Sequence, residues 1–182
     1  DLVWDMGLPH GIFHGGMEQD DRERALLKFR NGSHRLLITT DLASRGLDIP
    51  EIEHVIHYQL PHNEEAFLHR NGRTARMHAK GTSYLLLCPD EKPGYLVSLP
   101  EVEELPAKPV IPQPSPWVTL YIAAGKKEKV NKIDIVGLLI KKGELAKEDL
   151  GLIEVLDHSS YAAVKRDKIS RTLVLIKAEK IK

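Results

Sequence analysis

The sequence predicts an α/β chain in two parts, a doubly wound parallel sheet followed by a smaller α+β unit. Three observations predict it. Short apolar runs alternate with helix-period segments as far as residue 88, five prolines fall within residues 106–116, and beyond them the order becomes strand, helix, strand, strand, helix. At 182 residues, 42% hydrophobic and 29% charged, the chain is long enough for one large or two small cores.

The opening DLVWDMGL reads as the last turns of an amphipathic helix, and a chain that begins on Asp rather than Met is expected to be a piece of a longer protein. GIFHG (residues 11–15) is a short buried strand bounded by Pro9 and the Gly15-Gly16 pair, whose small size lets the backbone come close to a partner. A helix follows from Glu18 to Arg30, acidic in its first turn as the helix dipole favours, with Ala25, Leu26 and Phe29 on one stripe and Asn31-Gly32 as its stop. RLLITT (residues 35–40) has the pattern of an inner parallel strand covered on both faces. The connection DLASRGLDIP holds more polar chemistry than a connection needs: Gly46 to turn the chain, Arg45 to reach an anion, Asp48 to accept hydrogen bonds. HVIHYQL (54–60) is the next strand, a helix covers 63–75, and GTSYLLLC (81–88) closes the series with Cys88 as a small core residue.

The proline density favours an extended spacer, which places the first domain at residues 1–105, the linker at 106–116 and the second domain at 117–182. In WVTLYIAAG the alternating Val118, Leu120 and Ile122 describe a half-buried strand. A helix carries Ile133, Val136, Leu139 and Ile140 at helical spacing. Strands GLIEVLD and SSYAAVK flank a turn at 157–159, and a last helix runs from Asp167 to Lys180.

Net charge is zero but unevenly spread. Residues 1–105 carry 11 Lys+Arg against 17 Asp+Glu and residues 106–182 carry 15 against 9, so the second part is the one suited to an anion such as nucleic acid. Lys126, Lys127 and Lys129 are its densest cluster, although solvated lysines are common on any small domain. Tyr121 and Tyr161 suit either base stacking or a core. The single cysteine permits no internal disulfide and fits a reducing compartment. No run approaches a membrane span, no signal-like segment occurs, and the histidines lack partners at metal-ligand spacing. The expectation is a cytoplasmic monomer with no structural metal.

The chemistry concentrates in residues 39–76. In an open α/β sheet ligands bind beyond the carboxyl ends of strands, which is where Asp48 falls and where it could hold a sugar hydroxyl. Arg73 and Arg76, three apart, share a helix face and suit a polyphosphate, because the guanidinium fork matches phosphate oxygens and keeps its charge. Two such arginines alone fit a solvated basic helix end as well. Gln19 and Arg22 alone fit a polar helix face, and His69 alone fits a helix-surface residue.

The pattern H-R-x-G-R-x-x-R fixes five positions, a chance match of about one in a million at a given site. With TTDLASRGLD before it and HGGMEQDDRERALLKFRNG further upstream, this segment resembles the second RecA-like domain of DEAD-box RNA helicases over residues 12–87. AGKKEK, the DIVGLL helix, GLIEVLDHSSYAAV and EKIK resemble the DbpA-type RNA-binding domain, an RNA-recognition-motif fold here without its last strand. The first resemblance implies ATP-driven local unwinding of RNA in which Arg73 and Arg76 meet the γ-phosphate, Arg76 as the arginine finger. It also implies that Asp48, with Gly46, takes the ribose, that His69 couples the two RecA-like domains, and that Gly16, Gln19, Arg22, Thr40 and Arg45 hold RNA. The second implies that Lys126, Lys127, Lys129 and Tyr161 bind structured RNA, in particular ribosomal RNA during large-subunit assembly.

Neither a GxxxxGK[ST] loop nor a DEAD box occurs in the chain. ATP and its Mg²⁺ would therefore be held mainly by a first RecA-like domain of the same polypeptide, and the chain alone is expected to be inactive. Asn71 and Ala75 stand where the family's arginine motif frequently has an apolar residue and a glycine. Two rivals remain: a related DNA helicase or translocase, which the LASRGLD phrase and the RNA-binding tail disfavour, and a non-catalytic RNA-binding module, which the retained arginines and Asp48 disfavour.

Overall fold

The computed structural model of the chain describes residues 2–41, 52–72 and 81–181. Its elements run α1 (Leu2–Asp5), β1 (His10–Phe13), α2 (Gln19–Arg30), β2 (Leu36–Thr39), β3 (His54–His57), α3 (Glu64–Asn71), β4 (Thr82–Leu85), β5 (Trp117–Ile122), α4 (Lys132–Lys141), a 3₁₀ turn (Lys147–Asp149), β6 (Leu150–Val155), β7 (Ser160–Lys165) and α5 (Arg166–Ile176). This is the α/β class and the order of elements that the sequence predicts. The chain divides into two compact units, one of Asp1–Ile12, Met17–Ile38 and Pro112–Lys182, the other of Phe13–Gly16 and Thr39–Ile111.

In the second of these units β3 and β4 pair in parallel, His54 opposite Thr82 and His57 opposite Leu85. A parallel pair needs a long crossover, and α3 lies within it. Asn63 caps α3 by accepting the Ala66 N–H at 2.9 Å, and Glu64 and Glu65 occupy the positive end of the helix dipole. The Gly72 N–H closes the last turn onto the Leu68 carbonyl at 2.8 Å. Under the helix, Phe67 packs on buried His57 with ring centroids 5.2 Å apart and on Tyr95 at 5.4 Å, and the Tyr95 hydroxyl donates to the Pro61 carbonyl.

Two expectations change here. Among the described residues the four N-terminal strands form two pairs, β1 with β2 and β3 with β4. Paired on one edge only, β2 is not an inner strand among the described residues, and its side chains are not fully covered: Leu36 and Leu37 are half-buried, Ile38 is 40% exposed and Thr39 is open. Cys88 is exposed rather than in the core. β4 stops at Leu85, and the Cys88 N–H donates to the Glu91 carboxylate in a turn beside Pro89, which has no N–H to continue a ladder.

In the first unit α2 buries Leu27, while Ala25, Leu26 and Phe29, the expected stripe, are only half-buried. The segment 101–114 has no regular element and is exposed throughout. Ser115 ends that exposure: its hydroxyl donates to the Gly32 carbonyl at 2.5 Å and accepts the Trp117 N–H at 3.1 Å. The sheet that follows has the order β5-β7-β6 and is antiparallel throughout, with Trp117 opposite Lys165, Tyr121 opposite Tyr161 and Glu154 opposite Tyr161.

The core of this part joins Val130, Ile135, Leu139, Leu145, Ile153, Ala162 and Val164, with Val118, Leu120 and Ile122 packing from β5 as their alternation predicts. A capping box starts α4: the Asn131 side chain accepts the Ile133 and Asp134 N–H groups at 2.8 and 3.1 Å, and the Asp134 carboxylate accepts the Asn131 N–H at 3.0 Å. The α4 stripe keeps Leu139 and Val136 of the expected one but replaces Ile133 with Ile135. Ile135 and Leu139, one turn apart, are fully buried, while Ile133 in the first turn is 81% exposed.

Candidate functional site

Five of the sequence-predicted site residues, Arg45, Gly46, Asp48, Arg73 and Arg76, lie outside the described residues. The others fall in three places and, for Tyr161, in the central strand β7.

The first is the last turn of α3, which leads into the arginine segment. His69 is exposed there. Arg70 donates from Nε to the Asp41 carboxylate at 2.6 Å and from a terminal nitrogen to the Gln59 carbonyl at 2.7 Å. This ties the helix end to the start of the DLASRGLD segment by a charge-assisted bond. Thr40, next to Asp41, is exposed and donates its N–H to the Phe13 carbonyl at 3.3 Å. Gly16 donates its N–H to His14 Nδ1, and a Cβ at Gly16 would lie 3.3 Å from the same ring.

The second is the first turn of α2. Arg22 reaches back to the Met17 carbonyl at 2.7 Å and donates to Gln19 Oε1 at 2.5 Å, so the two residues paired by helical spacing are joined in a planar fork.

The third is the loop between β5 and α4. Lys126, Lys127 and Lys129 are all exposed. Their backbone is fixed by bonds from the Lys126 N–H to the Leu156 carbonyl and the Lys127 N–H to the Asp157 carbonyl, both 2.9 Å, and by Lys129 in the left-handed region at φ 60°. The approach to the β6–β7 turn requires glycine at 125, where a Cβ would stand 2.3 Å from the Leu156 carbonyl oxygen. The Glu128 carboxylate accepts the Gly125 N–H at 2.8 Å and meets His158 at 3.1 Å. Both hold its pKa below the ordinary value, the backbone bond first. Three ammonium groups thus stand on a loop whose backbone is already ordered.

The two tyrosines separate. Their rings lie 5.5 Å apart at 60° on facing strands, but Tyr121 is 56% exposed and Tyr161 only 5%. On the same face Lys165 sits 4.3 Å over the Trp117 ring.

Sequence reasoning missed a polar cluster at the α3 end, in which half-buried Asn71 meets buried His57 and exposed Ser83. Asn71 Oδ1 accepts from His57 Nε2 at 2.9 Å and from the Ser83 hydroxyl at 2.7 Å. The available signal was Asn71 itself, a polar residue where an apolar one is frequent. No group of three or more His, Cys, Asp or Glu side chains among the described residues could hold a metal ion, so these residues do not fit a Mg²⁺ site and no step is assigned to one. Nor is any helix among them long and apolar enough to cross a membrane.

These places fall within two family matches, a helicase conserved C-terminal domain over residues 2–78 and a DbpA RNA binding domain over residues 119–182. The chain carries a helicase C-terminal domain followed by a DbpA RNA-binding domain and is homologous to the DbpA-type DEAD-box ATP-dependent RNA helicases. It is 30% identical to ATP-dependent RNA helicase DbpA of Bacillus subtilis, over 100% of this chain and 44% of that protein. It is 34% identical to ATP-dependent RNA helicase DbpA of Escherichia coli, over 100% of this chain and 41% of that protein. The chain therefore spans less than half the length of these relatives. The solved C-terminal domain of the DEAD-box protein Dbp5 is 32% identical, covering 49% of this chain and 53% of that one, with a TM-score of 0.44 on which the assignment does not rest.

Proposed function

We propose that this chain is the C-terminal part of an ATP-dependent RNA helicase that locally unwinds structured RNA, with ribosomal RNA of the large subunit as its target. Residues 1–105 form the helicase domain, 106–116 the linker and 117–182 the module that selects the RNA. The observation that carries the reading is the order on one chain of a helicase C-terminal match over residues 2–78 and an RNA-binding match over 119–182, with an ordered, triply lysine-bearing loop in the second.

ATP is the substrate, cradled in the main by a first RecA-like domain of the same polypeptide. Arg73 and Arg76 meet the γ-phosphate, and Arg76 neutralises the charge that develops in the transition state. Asp48 and Gly46 take the ribose side, and His69 faces the first domain. Gly16, Gln19, Arg22, Thr40 and Arg45 hold RNA phosphates, so that closure completes the nucleotide and RNA sites together. The lysine loop supplies the electrostatic attraction of the second module. The protein works as a cytoplasmic monomer, and the 182-residue chain by itself hydrolyses no ATP.

The test is RNA-stimulated ATP turnover of the whole protein with Arg76→Ala. Loss of an arginine finger costs about 10³ to 10⁵ in rate and leaves RNA affinity nearly unchanged. A loss below about tenfold removes Arg76 from that role. No turnover in the unsubstituted whole protein would instead favour a non-catalytic RNA-binding module.

A further inference from the structure

The last residue of α3 is tied to both strands of the parallel pair. Asn71 Oδ1 accepts two hydrogen bonds, from His57 Nε2 on β3 and from Ser83 Oγ on β4, and His57 Nε2 lies a further 3.1 Å from that hydroxyl. An amide oxygen only accepts, so His57 carries its proton on Nε2. Its Nδ1 is buried with no hydrogen-bond partner among the described residues, and the ring is 1% exposed under Phe67. One residue earlier Arg70 is held by Asp41 and Gln59. Side-chain bonds at two consecutive residues, Arg70 and Asn71, thereby hold the last turn of the helix. Gly72 alone separates Asn71 from Arg73 in the sequence.

We propose that Asn71, held by His57 and Ser83, is a positioning residue that fixes the C-terminal end of α3, the end after which the sequence runs on to Arg73 and Arg76, a polar clamp in place of an apolar contact. The proposal rests on the reading of Arg73 and Arg76 given above. Asn71 touches neither ATP nor RNA in this role. It acts by removing freedom from the helix end, and a displacement of about 1 Å in a positioning element can cost 10²-fold in rate. Burial lowers the His57 pKa, the Asn71 bond raises it in part, Arg70 lowers it and Asp41 raises it. The neutral ring that donates to Asn71 is accordingly the form at neutral pH.

The test compares Asn71→Leu, Asn71→Asp, Ser83→Ala and Arg76→Ala in the whole protein. Asn71→Leu matches the side chain in size but accepts nothing; Asn71→Asp keeps the acceptor. Ser83 is exposed, so its truncation does not threaten the fold. Asn71→Leu should lower RNA-stimulated turnover by about 10- to 100-fold with RNA affinity within about twofold. Asn71→Asp should stay within about threefold of the parent, and Ser83→Ala should fall between. His57, followed by NMR, should titrate at lower pH in Asn71→Leu and at higher pH in Asn71→Asp. Turnover within about twofold in Asn71→Leu, while Arg76→Ala loses about 10³, overturns the positioning role and leaves the arginine reading intact. Equal losses in the Leu and Asp variants also overturn it, because the acceptor is then not the cause. A loss under about tenfold in Arg76→Ala removes the arginine reading and the positioning role together.

Discussion

Replacing Gly125 by alanine should unfasten the lysine loop. The added Cβ would stand 2.3 Å from the Leu156 carbonyl oxygen and 2.7 Å from that of Asp157. Both are backbone atoms, and they are the acceptors for the Lys126 and Lys127 N–H groups. Neither can swing aside as a side-chain tip would, so the loop and the β6–β7 turn must part. Forcing a methyl into such a space costs about 1–3 kcal/mol, and each broken backbone hydrogen bond adds about 0.5–1.5 kcal/mol. With two such bonds at stake, the combined expectation is about 2–6 kcal/mol. Hydrogen exchange of the β7 amides reads this directly, because it reports the opening of that region without requiring the whole chain to unfold in one step. RNA affinity should fall with it, since the three ammonium groups lose their fixed backbone. A change below about 0.5 kcal/mol in β7 exchange, with RNA affinity intact, would refute the close-approach argument.

Other expectations follow from the same part of the chain. Leu139→Ala, at a fully buried position in the core under the sheet, should cost about 2–5 kcal/mol by the same exchange measurement, whereas Ile133→Ala, on the exposed side of α4, should change little. Glu128 is held below its ordinary pKa by the Gly125 N–H and then by His158, so the stability it contributes is present above the unfolded-state pKa and is lost as pH falls through the lowered one. Glu128→Gln should remove that part of the acid dependence, and an unchanged acid unfolding profile would count against the bond. Lys126→Ala with Lys127→Ala should weaken binding to all RNAs alike and reduce the salt slope by about 1 for each phosphate that is no longer neutralised.

The sequence was legible where local chemistry and long-range packing agree. The helix expected from residue 63 does start there, on the Asn63 cap, because capping is decided within four residues, whereas the Asn131–Asp134 capping box of α4 enters only with the structure. The alternation of Val118, Leu120 and Ile122 is readable because a sheet with one buried face imposes a period of two. The phase of an apolar helix is not so readable. In KIDIVGLLIK the expected stripe through 133, 136, 139 and 140 places Leu139 in the core and Val136 against it, but the packed sheet buries Ile135 as well and leaves Ile133 exposed. Cys88 was misplaced for a similar reason: LLLC looks like a continuing strand, but the β4 ladder has already ended at Leu85. Arg22 with Gln19 was legible from spacing alone. The Asn71 clamp was not, because its partners lie 14 and 12 residues away in sequence. Tyr121 and Tyr161 looked interchangeable, yet one is open and the other buried between neighbouring strands.

The central claim is that an RNA helicase is directed to structured ribosomal RNA by residues 117–182. Its most direct test is the affinity of the whole protein, with and without those residues, for a panel of ribosomal RNA hairpins and an unrelated hairpin, at about 150 mM salt where surface electrostatics are screened to the physiological degree. The account predicts that one ribosomal hairpin is preferred by about 10³-fold or more over the unrelated one, and that removing residues 117–182 abolishes the preference. Equal affinity across the panel, or a preference that survives the removal, would contradict it.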